Sequence, residues 1–493
     1  MVAALTPVYR VDELRAIEAR HADLPLMQRA GRAAADVAQA MAGDRGGQIV
    51  VLAGPGNNGG DAMVVARCLR SWFHDVVVVF RADAAKLPAD AANAFRAFID
   101  AGGLTVPAPP IGKPALIVDG LFGIGLTRPL SDQYVELVNW ANGTGLPILA
   151  LDVPSGLHAE TGAAMGAAIR ATATVKFIGL TPGLLTGDGP DHCGAVTVHA
   201  LAVEPQGASL GHRLDWSALA AMLPAALARG TRNVNKGTFG TLAIIGGAEG
   251  MVGAALLAGR SAMRTGAGKV LVGLAARTRP ALDCNAPELM LRDAETTLSA
   301  NIDACVIGPG LGTAAAARRS VERALALDVP LVLDADALNV VAANPDLRTA
   351  AQRRTAPTLA TPHPGEAARV LSRSVAAIQA DRLVAAMQLA SEMRAHVVLK
   401  GCGSVLAHPD GSWDINSSGG PALASAGTGD VLAGVLGAML AQRLDAKTAL
   451  RYAVCLHGAA ADTLVARGVG PVGVAASELA DAARELINAA ARE

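Results

Sequence analysis

Three loops in the N-terminal half carry residues suited to a phosphorylated ligand or a hard cation. The first, Gly54-Pro55-Gly56-Asn57-Asn58-Gly59-Gly60-Asp61, follows an apolar run, precedes a helical stretch and satisfies GxGxxG from Gly54 to Gly59. Glycines in such a turn let backbone amides approach a pyrophosphate at a helix N-terminus, where the helix dipole favours anions. The same residues would serve an ordinary strand-to-helix turn with Asp61 as the cap. The acid that a dinucleotide fingerprint places about 20 residues later would be Asp75 or Asp83, neither cleanly at a strand end. VDGLFGIGL (118–126) and LDVPSG (151–156) also follow apolar runs. In an open parallel sheet the carboxyl ends of the strands line one crevice, so the three loops face one ligand. A buried carboxylate there needs a partner or a cation. Asn58, Asp119 and Ser155 offer hard oxygen ligands without thiolate or imidazole, which suits an alkali or alkaline-earth ion rather than zinc.

The C-terminal half repeats the arrangement with different residues. Ala426-Gly427-Thr428-Gly429-Asp430 opens a helix, and its successive amides form an anion hole with Asp430 just inside. An ordinary helix start, with Thr428 as N-cap and Asp430 in the first turn, has the same sequence. Further loops follow strands at GPGLG (308–312), LDADALN (333–339), TPHPGE (361–366) and LKGCGS (399–404), and NKGTFG (235–240) precedes a strand that ends in Gly246-Gly247. His363 between two prolines is either a packed histidine or one held at the crevice. Gly266-Ala267-Gly268-Lys269 is no P-loop, because Met263 and Val270 stand where a glycine and a Ser/Thr are required.

These residues carry a resemblance. GPGNNGGD (54–61), VDGLFGIGL, LDVPSGLHAETG (151–162) and LMQRAG (26–31) resemble the epimerase domain of the NAD(P)H-hydrate repair enzymes. The resemblance implies that Asn57, Asn58, Gly59, Gly60 and Asp61 contact the hydrated nucleotide, NAD(P)HX. It implies the same of Gly123, Ile124, Gly125, Leu126, Thr127, Arg128 and Pro129. It makes Asn58, Asp119 and Ser155 ligands of K+, and Asp152 a substrate contact and the acid/base group at C6. Two positions depart from the pattern: Ala62 stands where glycine is expected, and Thr181 where lysine is expected, with Lys176 as a substitute.

The C-terminal loops resemble, in order, the ribokinase-like dehydratase domain of the same enzymes. That likeness implies that Ala254, Gly310, His363 and Asp430 touch the hydrated nicotinamide nucleotide. Lys400, Gly401, Cys402, Gly403, Ser404 and Gly429 would hold the adenine nucleotide, ADP or AMP, with Mg2+. In relatives with kinase activity an aspartate at the Asp430 position activates a hydroxyl for phosphorylation; here that hydroxyl is the one to be removed. Gly420 departs from the pattern, which expects asparagine.

The elements that must position these loops read as two α/β series. Apolar runs at 49–53, 76–80, 115–119, 148–153, 174–177 and 196–201 predict strands, alternating with helices near 61–72, 88–101 and 131–142 after one or two helices over 12–42. The second series predicts strands at 242–245, 269–273, 304–307, 331–334, 357–361 and 397–400. Its helices fall near 253–266, 314–327, 376–394, 428–442 and 447–466. A polar stretch over 204–235, opening with Glu204-Pro205-Gln206-Gly207, places the boundary near 205–215. The expectation is a Rossmann-like three-layer αβα domain over 1–212 and a ribokinase-like one over 213–493.

Composition narrows the function. With 42 Lys+Arg against 43 Asp+Glu and 3% aromatics, the 493-residue chain lacks the basic excess and stacking platforms of a nucleic-acid binder. No uncharged run is long enough to cross a membrane, and no signal peptide is read at the N-terminus. Six scattered cysteines without a CxxC pair suggest reduced thiols, no zinc site and a cytoplasmic setting. Ala-rich helical surface and the resemblance suggest a homotetramer. Two further readings stay open at this stage. One is a small-molecule kinase with an N-terminal nucleotide-binding module; the other keeps the dehydratase and makes the first half a non-catalytic binding module.

Overall fold

The computed structural model describes residues 5–43, 46–112, 114–203 and 209–492. Contacts divide the chain into Pro7–Leu210 and a second unit that runs from Gly211 onward and includes Leu5 and Thr6. The division therefore falls beside the expected boundary, while the chain's first described residues go with the second unit. Glu204–Gly207 lie outside the described residues.

In the first unit, the parallel sheet has the order Thr105–Val106, Val76–Phe80, Ile49–Ala53, Leu116–Gly120, Ile148–Leu151, Ala173–Phe177, Ala195–His199. The order reverses between Ile49–Ala53 and Leu116–Gly120, so the loops leaving these two strands part and open a crevice. Both strands are buried along their whole length, which is why they read as unbroken apolar runs. Alternate residues serve opposite faces: Ile49, Val51 and Ala53 join one core, Val50 and Leu52 the other. Leu26–Ala42 presents Ala30, Ala34, Ala38 and Ala42 at helical spacing to the first core. A side chain at Gly31 would overlap Val64 of Asn57–Ser71, so glycine sets how closely these two helices pack.

The second unit's sheet runs Gly211–Leu214, Trp413–Asn416, Val405–Ala407, His396–Leu399, Thr358–Ala360, Leu331–Leu333, Ala304–Ile307, Thr241–Gly246, Lys269–Leu274, Met290–Asp293. Val405–Ala407 is antiparallel to both neighbours, a departure from the expected parallel series. The 204–235 stretch, expected to lack strands, contributes Gly211–Leu214. The single helix expected over 376–394 is two, because Asp381 leaves helical geometry and caps the second through Val384 N. Thr428–Ala441 is buried on all sides from Val431 to Ala441, the pattern of a central core helix. Its Gly434 lies against Ala258 and Ser261 of Val252–Arg264, where a methyl group would overlap the Ala258 carbonyl. Among the described residues, no helix is long and apolar enough to cross a membrane.

Candidate active sites

In the first unit Asp119, next to last in Leu116–Gly120, has a fully buried side chain. Its carboxylate accepts Ser155 N at 2.8 Å, Ser155 Oγ at 2.6 Å and Leu121 N at 3.3 Å. Burial pushes its pKa up to about 6 despite these hydrogen bonds. Asn58, in the first turn of Asn57–Ser71, is buried with neither Oδ1 nor Nδ2 partnered. A buried amide without a partner is rare in a folded protein and marks a place for a ligand or ion.

Asp152 follows Ile148–Leu151 in the left-handed region at φ 64°. Its Oδ2 accepts Ile124 N at 3.0 Å, and its Oδ1 pairs with Nζ of the buried Lys176. A side chain at Gly123 would begin 2.6 Å from Asp152 Oδ2 and 3.4 Å from Asn58 Cγ, so these three residues meet in the crevice. Two more carboxyls face the same place. Burial raises the Asp61 carboxyl well above its ordinary value, and Asp152 and Glu18 add to the effect. Partial loss of solvent and then Asp152 raise the carboxyl of Glu18, an exposed residue of Val11–Arg20, against the pull of Lys176 and Arg15.

The glycines here serve backbone contact. A methyl at Gly54 would stand 1.7 Å from Leu121 O, and one at Gly59 2.0 Å from Gly54 O. The helix begins at Asn57, so Asp61 lies beyond the first turn and is no cap. Ala62, where glycine was expected, packs its methyl against Gly120, whose missing side chain makes the room. Leu126 is buried in the core with Leu130 and Tyr134 rather than open to the crevice, while Gly125, Thr127, Arg128 and Pro129 are exposed.

In the second unit three neighbouring strands are followed directly by Asp334, Thr361 and Lys400. Asp334, 1% exposed, accepts Thr361 Oγ1 at 2.5 Å and Lys400 Nζ at 3.3 Å. Burial would lower the Lys400 pKa, but Asp334, Glu366 and Asp430 together raise it. Asp430, in the first turn of Thr428–Ala441, is raised to about 6 by burial and then by Asp334, with Lys400 opposing. A side chain at Gly429 would begin 3.4 Å from Lys400 Nζ, which places the lysine at the helix start. Gly427, at φ 88°, occupies the N-cap, and the Thr428 hydroxyl reaches back to the Leu423 and Ser425 carbonyls. Thr428 is therefore not the cap. The first helical bond is Val431 N to Gly427 O, so the amides of Thr428, Gly429 and Asp430 precede the helical ladder and can meet an anion.

His363 is the N-cap of Pro364–Leu371: its Nδ1 accepts Gly365 N at 2.9 Å, and Glu366 accepts His363 N at 2.9 Å. Half of its side chain stays exposed, so it is held at the loop rather than packed in the core. Gly310, at φ 57°, lies against Met251 and Ala254. After Lys400 the chain turns through Gly401, exposed Cys402 and Gly403, with the Ser404 hydroxyl donating to Gly401 O at 3.1 Å. The Lys400 side chain thus joins the carboxylates, whereas Gly401–Ser404 form the rim. At Gly420 a side chain would meet open space.

Residues 242–484 match the family described as NAD(P)H-hydrate dehydratase, and residues 23–183 the family described as YjeF-related protein N-terminus. The chain is 39% identical over 495 residues to the bifunctional NAD(P)H-hydrate repair enzyme Nnr of Escherichia coli K12, covering 98% of this chain and 94% of that one. This chain belongs to the bifunctional NAD(P)H-hydrate repair enzymes. The Coxiella burnetii repair enzyme is 34% identical, covering 98% of this chain and all of its own. Among solved structures, the ADP/ATP-dependent NAD(P)H-hydrate dehydratase of Bacillus subtilis, co-crystallised with ATP and Mg2+, is 33% identical. It covers 55% of this chain and 95% of its own, with a TM-score of 0.47.

Several residues of this repair enzyme's clefts went unassigned from sequence. Asp334 and Glu366 lie inside quoted motifs, and strand ends were the signal that pointed to them. Glu18 and His457 sit on helices with no motif around them. His457 is buried on Ala446–Ala466 with Nε2 unpartnered. Burial lowers its pKa to about 4, partly opposed by the Thr428 backbone, with Lys400 lowering it further. The histidine is therefore neutral at pH 7 beneath the helix start.

Proposed function

We propose that the first unit interconverts the C6 epimers of NAD(P)HX and that the second dehydrates the S form to NAD(P)H using ADP. A dehydratase specific for one epimer would leave the other unused, so the pair of activities forms a complete repair. The observation that carries the reading is Asp430. A carboxyl with a pKa of about 6 stands in the first helical turn, beside three amides ahead of the helical ladder and next to Lys400. At neutral pH it is ionised and able to take the proton of the C6 hydroxyl. The amides of Thr428–Asp430 hold the phosphate oxygens, and Lys400 balances the charge gathered there. Bound ADP gives its terminal phosphoryl group to that hydroxyl and leaves as AMP; the ring nitrogen then expels inorganic phosphate, and loss of a proton from C5 restores NAD(P)H. Gly310 and Ala254 shape the substrate side, His363 stands at the rim, and Gly401–Ser404 with Gly429 carry the nucleotide. Mg2+ would arrive on the nucleotide's phosphates and neutralise their charge.

In the first unit Asp152 is the acid/base group facing C6, with residues 57–61 and the backbone of 123–129 around the nucleotide. Asn58, with both polar atoms buried and unpartnered, Asp119 and Ser155 fit a hard monovalent cation. K+ there would supply positive charge to the substrate's phosphates. We also place the enzyme in the cytoplasm and in a homotetramer, a state that light scattering measures directly.

The test follows absorbance of reduced nicotinamide, starting from mixed NADHX epimers with ADP and Mg2+, in the full chain and in Asp430→Asn. Recovery from both epimers, lost in the variant, is the expected result. A stable phosphate ester without recovery would make the protein a kinase. Recovery that stalls with one epimer unused would make the first unit a binding module.

A further inference from the structure

The crevice of the first unit gathers acid from three separate elements. Glu18 comes from Val11–Arg20, Asp61 from Asn57–Ser71, and Asp152 from the end of Ile148–Leu151. The cations that face them are Lys176 from Ala173–Phe177 and Arg15, one turn before Glu18, whose guanidinium lies 3.7 Å from where a Gly125 side chain would begin. Only Lys176 is drawn into the core. Its side chain is 1% exposed and its ammonium meets Asp152 Oδ1. A lysine this deep is costly unless paired, so its place in the fold depends on Asp152.

The converse dependence concerns activity. Asp152 sits on left-handed backbone, one oxygen fixed by Ile124 N and the other by Lys176. Two donors from different elements leave the carboxylate one orientation, beside Gly123 and Asn58. Thr181 brings no charge to the cluster, and its buried hydroxyl has no partner. We propose that Lys176 is the positioning residue of the N-terminal site, fixing the Asp152 carboxylate toward the crevice and compensating its charge against Glu18 and Asp61. The proposal rests on the epimerase reading of this unit.

The test uses the full chain, so that its own dehydratase reports on the supply of S epimer. Pure R epimer is the substrate, with ADP and Mg2+, and the enzyme-free rate is subtracted. Lys176→Met should lower kcat for the R epimer about 100-fold, the scale of a misplaced acid–base group, with KM changed by less than about threefold. Turnover of the S epimer should stay at the wild-type rate. Lys176→Arg, which keeps the charge, should hold kcat within about tenfold of wild type. Added to Asp152→Asn, Lys176→Met should cost nothing further, because the lysine acts through Asp152. The proposal is overturned if Lys176→Met turns over R epimer like wild type, or if Lys176→Arg is as slow as Lys176→Met. An additive loss in the double variant also overturns it. If Lys176→Met unfolds the first unit, the arginine variant alone decides. Wild-type enzyme that leaves R epimer untouched would instead remove the epimerase reading itself.

Discussion

Replacing Asp430 by asparagine should alter both catalysis and stability, with opposite signs. Burial and the neighbouring Asp334 lift the carboxyl from 3.8 to about 6. A base at that value is about nine-tenths ionised at pH 7 and about one-tenth ionised at pH 5. Dehydration of the S epimer should therefore fall about tenfold over that interval. Asp430→Asn should lower kcat/KM by about 100- to 10,000-fold, the usual worth of a positioned base, and flatten the remaining profile. Lys400→Met removes the cation that opposes the shift, so the acid limb should move to higher pH.

The same shift carries a stability term. A folded-state pKa above the unfolded value means that the native state binds the extra proton between 3.8 and about 6. Stability contributed by this group is thus lost as pH rises through that window, and the penalty is complete above it. At about 1.36 kcal/mol per pKa unit the penalty is at most about 3 kcal/mol, less whatever solvent screens at this partly open cleft. Asp430→Asn should accordingly raise the unfolding midpoint of the second unit at pH 7.5, with the gain shrinking as pH falls below 6. Urea unfolding at several pH values, beside initial rates of nicotinamide absorbance, measures both. A flat wild-type rate profile between pH 5 and 7, or an acid limb that survives in Asp430→Asn, would refute the assignment.

Further outcomes follow from other parts of the structure. Burial opposes ionisation of Asp414, but His212, His408 at 3.0 Å and Arg451 through two 2.8 Å contacts hold its carboxyl well below the usual range. Arg451→Met leaves that charge half-partnered and should cost about 2–4 kcal/mol in urea unfolding, with the dehydratase mechanism intact. Gly54→Ala drives a methyl into Leu121 O; it should abolish use of the R epimer and lower the first unit's unfolding midpoint while S-epimer turnover persists. Asn58→Leu fills the unpartnered polar place with carbon, so any acceleration of R-epimer conversion by KCl over NaCl should disappear, which a salt titration checks.

Much of this architecture is legible in the chain. Ile49–Ala53, Val76–Phe80 and Ala304–Ile307 coincide with their apolar runs because strands with both faces covered need no polar alternation. Glycine clusters after those runs mark the strand ends, and with them the loops that line both clefts. Trp413–Asn416 escapes such reading. Its Trp-Asp-Ile-Asn sequence looks like a surface loop, yet it is buried because Arg451, 37 residues on, and His408 satisfy Asp414. Polar residues read as exposed until the partner that neutralises them is located.

What the sequence determines by itself is local. Side-chain periodicity selects strand or helix, and glycine permits the close backbone approaches between loops. Carboxylates at strand ends then announce two ligand clefts. Which atoms meet is settled only in three dimensions. The parallel pairing of Leu151 with Val175 sets Asp152 and Lys176 side by side, and two separate helices add Glu18 and Asp61 to the same charge cluster. In the second unit, burial and the neighbouring Asp334 lift the Asp430 carboxyl above its ordinary value. Charge interactions and desolvation depend on distance and on excluded water, and both come into being when separate segments close on one another.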